Sequence, residues 1–239
     1  MIESNSTDES KAVLEKHTAR VSWMHFESIS SPDAIFPHRT QKLAHARNKY
    51  LEVFSQLNEN KDIELLVVCD LNNLNKKITI ESVRSCDKIT EWGALTANQD
   101  GPYYDIWALR HQYWNVGDCW EQYNELTEFY PNDKLALWDS VYSKMIVISS
   151  QNAPILVNSA FGGLAIYKVK YLEDCEYIGV NDKKSATCEH VSFNAKFREN
   201  GGAIYINPSL INLKFTDHSL RKKYFLLFNM KYKLRKIFQ

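Results

Sequence analysis

Ile63-Glu64-Leu65-Leu66-Val67-Val68-Cys69-Asp70-Leu71-Asn72 is the stretch that decides the fold class. After one acid it runs short, apolar and rich in β-formers, as a central parallel strand buried on both faces does. Cys69 within it reads as a buried thiol. The run stops at Asp70, and an acid at that point lies at the carboxyl edge of a sheet, where α/β folds gather ligands. Asp70 and Asn72, one residue apart, can turn two oxygens toward one Mg²⁺ or Mn²⁺ while diphosphate oxygens fill other positions. The competing reading is a strand-ending acid and an amide that only start a turn.

Upstream, Met1-Ile2-Glu3 reads as the end of a strand. Ser6, with Glu9 three residues later, reads as a capping box opening a helix at Ala12 to Leu14. Val21 to Phe26 is a short strand candidate. From Gln41 to Leu57, apolar residues at helical spacing (Leu43, Ala46, Tyr50, Phe54, Leu57) predict an amphipathic helix. Downstream, Gly93 to Ala97 and Asp105 to Leu109 are strand candidates on either side of the turn-like Asn98 to Pro102. Asn132 caps a helix with Leu135, Trp138, Tyr142 and Met145 on one face. Ile155 to Val157, Leu164 to Val169 and Ala203 to Ile206 complete the strands. Alternating strands and helices predict an α/β fold with a mostly parallel central sheet and helices on both faces. No linker composition divides residues 1–219, which read as one domain.

The 239 residues suffice for a sizeable core, and 29 basic against 29 acidic residues give no global charge to draw nucleic acid. Five widely spaced cysteines contain no CxxC pair, so zinc-finger and thioredoxin readings fail, and a reducing compartment is the default. No apolar run reaches the roughly 18–20 residues that span a bilayer.

Three more constellations stand out. Glu3 to Asp8 joins a strand end to a helix start, either an anion site or plain capping. Arg39, Leu43 and Arg47 fall at i, i+4, i+8, so the two guanidiniums either hold phosphate or pair with acids. Glu189-His190 offers a general base or metal ligand, or the ordinary acidic start of a helix.

The order of these pieces is NSTD at the first helix, RTQKLAHARN, strand-DLN, YYDIWALR, NSAFGG, CEHVSF and INP. It resembles GT-A-type glycosyltransferases, especially a group related to fungal capsule and α-mannosyl transferases, from about residue 2 to residue 212. The resemblance implies a Rossmann-like GT-A sheet, a nucleotide-diphosphate sugar donor, Mn²⁺ or Mg²⁺, and a glycan or lipid-linked acceptor. It implies that Asp70 holds the metal, with Asn72 replacing the more usual second Asp at the loss of one charge. It places Glu3 and Asp8 near the nucleoside, and Arg39 and Arg47 near the donor. Tyr104, Asp105, Trp107 and Arg110 would border the sugar and acceptor, with Gly162 and Gly163 letting the acceptor approach the backbone. Glu189 becomes the acid or base, with Asp105 as its alternative, and His190 a ligand or phosphate contact. Domains of this kind place a strand and helix before the equivalent of Glu3, so the chain reads as lacking its first unit. A remnant that binds without turnover is the rival reading.

Residues 220–239 carry seven Lys or Arg and no acid, interleaved with aromatic and aliphatic residues. Such a tail suits an anionic membrane surface or a terminal element with solvated charges. The expected location is cytoplasmic or peripheral to a membrane, or the secretory lumen if an anchoring segment precedes Met1.

Overall fold

The computed structural model describes residues 1–58, 62–71 and 73–222. Asn72 and residues 223–239 of the basic tail lie outside the described residues. The chain forms two compact units: Met1–Glu64 with Asp174–Lys196, and Leu65–Glu173 with the chain from Phe197 onward.

In the first unit, β1 (Ile2–Ser4) pairs in parallel with β2 (Glu27–Ile29). The strand therefore falls just after the Val21–Phe26 stretch that the pattern favoured. Helix α1 (Ser10–Thr18) starts later than the Ser6 capping box predicts, and Glu9 caps it without a side-chain bond. Ser6 instead donates its backbone N–H to the Glu3 carboxylate, which closes the strand-to-helix turn from the other side. The long helix α2 (Arg39–Asn58) agrees with the 41–57 periodicity. It packs at Gly179, where a Cβ would lie 2.2 Å from the Thr40 carbonyl carbon, and the Thr40 hydroxyl bonds the Gly179 carbonyl. Further along, Asn48 exchanges two hydrogen bonds with the Tyr177 backbone. Tyr177 stacks on Phe193 at 4.3 Å between centroids, giving this unit an aromatic centre.

The second unit is built on a five-stranded sheet of order β3-β6-β4-β7-β5. The strands are β3 (Leu65–Cys69), β4 (Ala94–Gln99), β5 (Ile155–Val157), β6 (Leu164–Lys168) and β7 (Ile204–Leu213). The fold is α/β, but three of the four pairings are antiparallel and only β4–β7 is parallel. The expected mostly parallel sheet is corrected accordingly. Strands β3 and β4 both follow helical segments in the chain, which reads as parallel from sequence. It is the insertion of β6 between them, running the other way, that reverses the pairing.

β3 is an edge strand, not a central one. Leu65 and Val67 are 46% and 55% exposed, and Cys69 is exposed with them instead of buried. The strand expected at Asp105–Leu109 is absent: residues 106–108 form a turn, and Arg110 makes only an isolated bridge to Ser159. Tyr103 and Ile106 enter the core there, and buried Asn115 ties the Ile106 and Leu109 carbonyls. Helices α3 (Ile80–Arg84), α4 (Cys119–Thr127), α5 (Asp133–Leu137) and α6 (Glu189–Glu199) flank these strands in sequence, and a π-helical turn at Trp138–Tyr142 continues α5. That turn breaks the helical face expected at 135–145: Tyr142 and Met145 are buried while Leu135 is 40% exposed. Core packing centres on β4, β6 and β7, whose Leu95, Ala97, Ala165, Ile204 and Ile206 are almost wholly buried. No helix among the described residues is long and apolar enough to cross a membrane.

Candidate functional site

Four segments of the second unit meet at the end of β3. The backbone N–H of Asp70 donates to the Gly163 carbonyl at 3.0 Å, continuing the β3–β6 ladder by one residue. The next residue back, Gly162, donates its N–H to the Asp105 carboxylate at 2.9 Å. Tyr104 lies over the same turn: a Cβ on Gly163 would stand 3.0 Å from its hydroxyl. Both glycines have positive φ, +67° and +86°, where a side chain is strained. The space over Gly162 is filled by the Ala97 carbonyl and that over Gly163 by Tyr104 and Leu74. Glycine is thus required here by the turn and by internal packing, rather than by an approaching acceptor.

Behind this edge runs a chain of amides. Asn212 on β7 donates to the Gly162 carbonyl at 2.8 Å and to the Asn75 side-chain oxygen at 3.0 Å. Asn75 in turn donates to the carbonyls of Asp70 and Gly163. Gln99, at the end of β4, donates to Asn212 and to Gly162 and accepts from the Tyr104 N–H. Asn212 and Gln99 are almost wholly buried, 0% and 1% exposed. Three neutral side chains therefore fix the backbone that carries Asp70, Tyr104 and the two glycines. Such a network is rigid when every partner is present and costly when one is removed.

Trp107 and Arg110 meet through Asp118, which sequence reasoning did not single out. Its Oδ2 accepts from the Trp107 indole at 2.9 Å and from the Arg110 guanidinium at 3.0 Å. Its Oδ1 caps α4 by accepting from the Trp120 N–H. Arg110 also donates to the Trp107 and Leu109 carbonyls. The pair holds the 105–110 turn in shape. The Gly117-Asp118-Cys119 sequence, a capping acid before a helix, carried the signal. A second missed residue is His218, whose ring stacks parallel to Tyr104 at 6.5 Å. It sits in a helical stretch, 217–222, opened by reciprocal Thr216–Ser219 bonds.

The remaining candidates belong to the first unit. Arg47 Nε donates to Glu189 Oε1 at 2.9 Å, with side chains only 10% and 5% exposed. His190 beside them is buried, and burial followed by the Arg47 charge holds its pKa well below the ordinary histidine value. Arg39, expected to share a helix face with Arg47, is exposed while Arg47 is buried, so they do not form one cationic surface. Glu3 is buried and accepts from the Ser28 hydroxyl as well as from Ser6. Desolvation opposes its ionisation, yet these hydrogen bonds leave its pKa lowered. Asp8 is exposed and accepts from the Ser10 N–H.

Among the described residues no three His, Cys, Asp or Glu side chains cluster as a metal cage. Asp70 is half-buried at the sheet edge; in general a small divalent cation can also be held by one protein carboxylate when substrate phosphates and water supply the rest of its shell. The chain matches no protein-family model and no curated protein sequence.

Proposed function

We propose that this chain transfers a sugar, a hexose such as mannose, from a nucleotide-diphosphate donor to a hydroxyl of a glycan or lipid-linked acceptor. The observation that carries the reading is the convergence of Asp70, Tyr104, Asp105, Gly162 and Gly163, distant in sequence, at one edge of the second unit. In this reading Asp70 would hold Mn²⁺ or Mg²⁺ together with the donor diphosphate, and the cation would supply Lewis-acid stabilisation of the departing phosphate. Tyr104 and His218, stacked near-parallel at the same edge, offer aromatic surface against which a sugar ring or base can lie. The bond from the anomeric carbon to the diphosphate oxygen breaks and a bond to the acceptor oxygen forms. Asp105 takes the acceptor's proton in an inverting course, and the departing diphosphate takes it in a retaining one.

In this reading Glu189, ion-paired with buried Arg47 in the first unit, and His190 beside it take no part in the transfer step. Because one protein carboxylate holds a cation weakly, metal and nucleotide are expected to bind together. The test is a thermal-shift screen of nucleotide-diphosphate sugars with and without Mn²⁺, followed by product analysis for each stabilising donor. Stabilisation that needs both components, with turnover, supports the proposal. Stabilisation without turnover in any acceptor mixture supports the binding-module alternative, and no stabilisation by any pair rejects both.

A further inference from the structure

The second unit has a groove of about 1030 Å³ whose lining shares no residue with the Asp70 edge. Its floor is the outward side of β7, where the register against β4 slips: Thr96 opposes Ile206, yet Asn98 opposes Ile211. The extra residues at 207–210 bulge, and Asn98 holds them by donating to the Pro208 carbonyl. Bulges of this kind re-aim side chains and recur beside binding sites. Here the bulge turns Ser209 outward beside Tyr205 and Ile211. The walls are α3 with its capping residue, the Lys88–Thr90 segment, and the loop through Asn152 and Pro154.

The lining chemistry is distinctive. Thr79, Ser82, Ser85, Thr90, Asn152 and Ser209 contribute hydroxyls and an amide. Several of these hydroxyls already donate inward: Ser82 to Thr79, Ser85 to Ser82 and Ser209 to Ser150. Their remaining lone pairs accept. Thr90 and Asn152, exposed at the rim, make no side-chain hydrogen bond among the described residues. Asn207, 2% exposed, is fixed between Ser85 and the Ser209 N–H and holds the floor in place. Half-buried Tyr205 adds an aromatic surface, and Ile89 and Ile211 add aliphatic patches.

Charge is nearly balanced. Lys77 is paired with Asp100 at 2.9 Å, Glu81 and Lys88 both line the groove, and among the described residues no arginine does. A phosphate-bearing ligand calls for convergent guanidiniums or amides, and an apolar ligand for an unbroken hydrophobic wall. Alternating hydroxyls, an amide and one aromatic ring suit a ligand with many hydroxyls and apolar C–H faces. The size is at the upper end of small-molecule sites, enough for more than one ring.

We infer that this groove binds a neutral oligosaccharide. The inference does not rest on the transfer reading. The test is saturation-transfer NMR on the full chain with mannotriose, maltotriose and cellotriose as probes and inorganic phosphate as competitor. At least one trisaccharide is expected to bind. Thr90→Arg, at an exposed position, and Tyr205→Ala should each weaken it about tenfold, while Tyr205→Phe retains most binding and Asp70→Ala leaves it unchanged. Three outcomes overturn the inference: no probe binding at millimolar concentration, binding undiminished in both Thr90→Arg and Tyr205→Ala, or displacement of the sugar by phosphate. Loss of sugar binding in Asp70→Ala alone would place the saccharide at the sheet edge and also overturn it.

Discussion

The two units stabilise buried polar groups in opposite ways. The first buries full charges, with Arg47 against Glu189 and a neutralised His190 beside them. The second lays neutral amides, Asn75, Gln99 and Asn212, behind a turn that presents carboxylates at a sheet edge. A charge pair sealed from water is expensive to break, yet its carboxylate does little chemistry while the guanidinium holds it. An amide network fixes backbone by hydrogen bonds alone, with no full charge inside it. This contrast is what favours the second unit in the proposed transfer reading.

The contrast can be broken most sharply at Glu189. Glu189→Ala strands the Arg47 charge and should cost about 3–5 kcal/mol in chemical denaturation. The double change Arg47→Met with Glu189→Leu should recover most of that loss. A cost of only a few tenths would show the pair to be solvated. Next in size, Asn212→Ala leaves Gly162 and Gln99 short of partners and should cost about 1–3 kcal/mol. It should also lower turnover more than it alters folding cooperativity, since Asp70 and Tyr104 share that support.

A smaller effect is pH-dependent. His190 has a depressed pKa in the folded protein, so below the ordinary histidine value near 6.5 the unfolded chain takes up a proton that the folded chain does not. Stability is therefore full above about pH 6.5 and falls as pH drops toward the folded pKa, by at most about 1.4 kcal/mol per pH unit. His190→Phe should flatten that part of the profile, measured by thermal unfolding between pH 7 and 5. The smallest effect is chemical. Burial, reinforced by Asp118, pushes the Cys119 thiol up to about 12, and burial pushes Cys175 to about 11. Both should resist iodoacetamide at pH 8 in the native protein and react on unfolding.

Some of this was legible in the sequence. Helix α2 announced itself by periodicity. The segments holding Asp70, Tyr104-Asp105 and Gly162-Gly163 were each picked out separately, and they meet in the fold. Strand direction was not legible, because an apolar run such as 65–69 has the same composition whichever way its neighbour runs. The edge position of β3 was hidden for the same reason. The 105–109 strand failed because Asn115, several residues away, satisfies the Ile106 and Leu109 carbonyls as a turn, while Asp118 holds the Trp107 and Arg110 side chains. The amide network left no trace, since Asn75, Gln99 and Asn212 become partners only through tertiary pairing of β4 and β7. Glu189-His190 looked reactive from residue type alone, and only burial against Arg47 distinguishes a buried pair from an open one.

Calorimetric titration of a nucleotide diphosphate into the intact chain, with and without Mn²⁺, bears most directly on placing the donor at the β3 edge. Wild-type protein should bind only when the cation is present, and Asp70→Ala should weaken that binding by about a hundredfold, or about 2.7 kcal/mol, with its unfolding midpoint unchanged. Equal affinity in wild-type and Asp70→Ala protein would contradict the account.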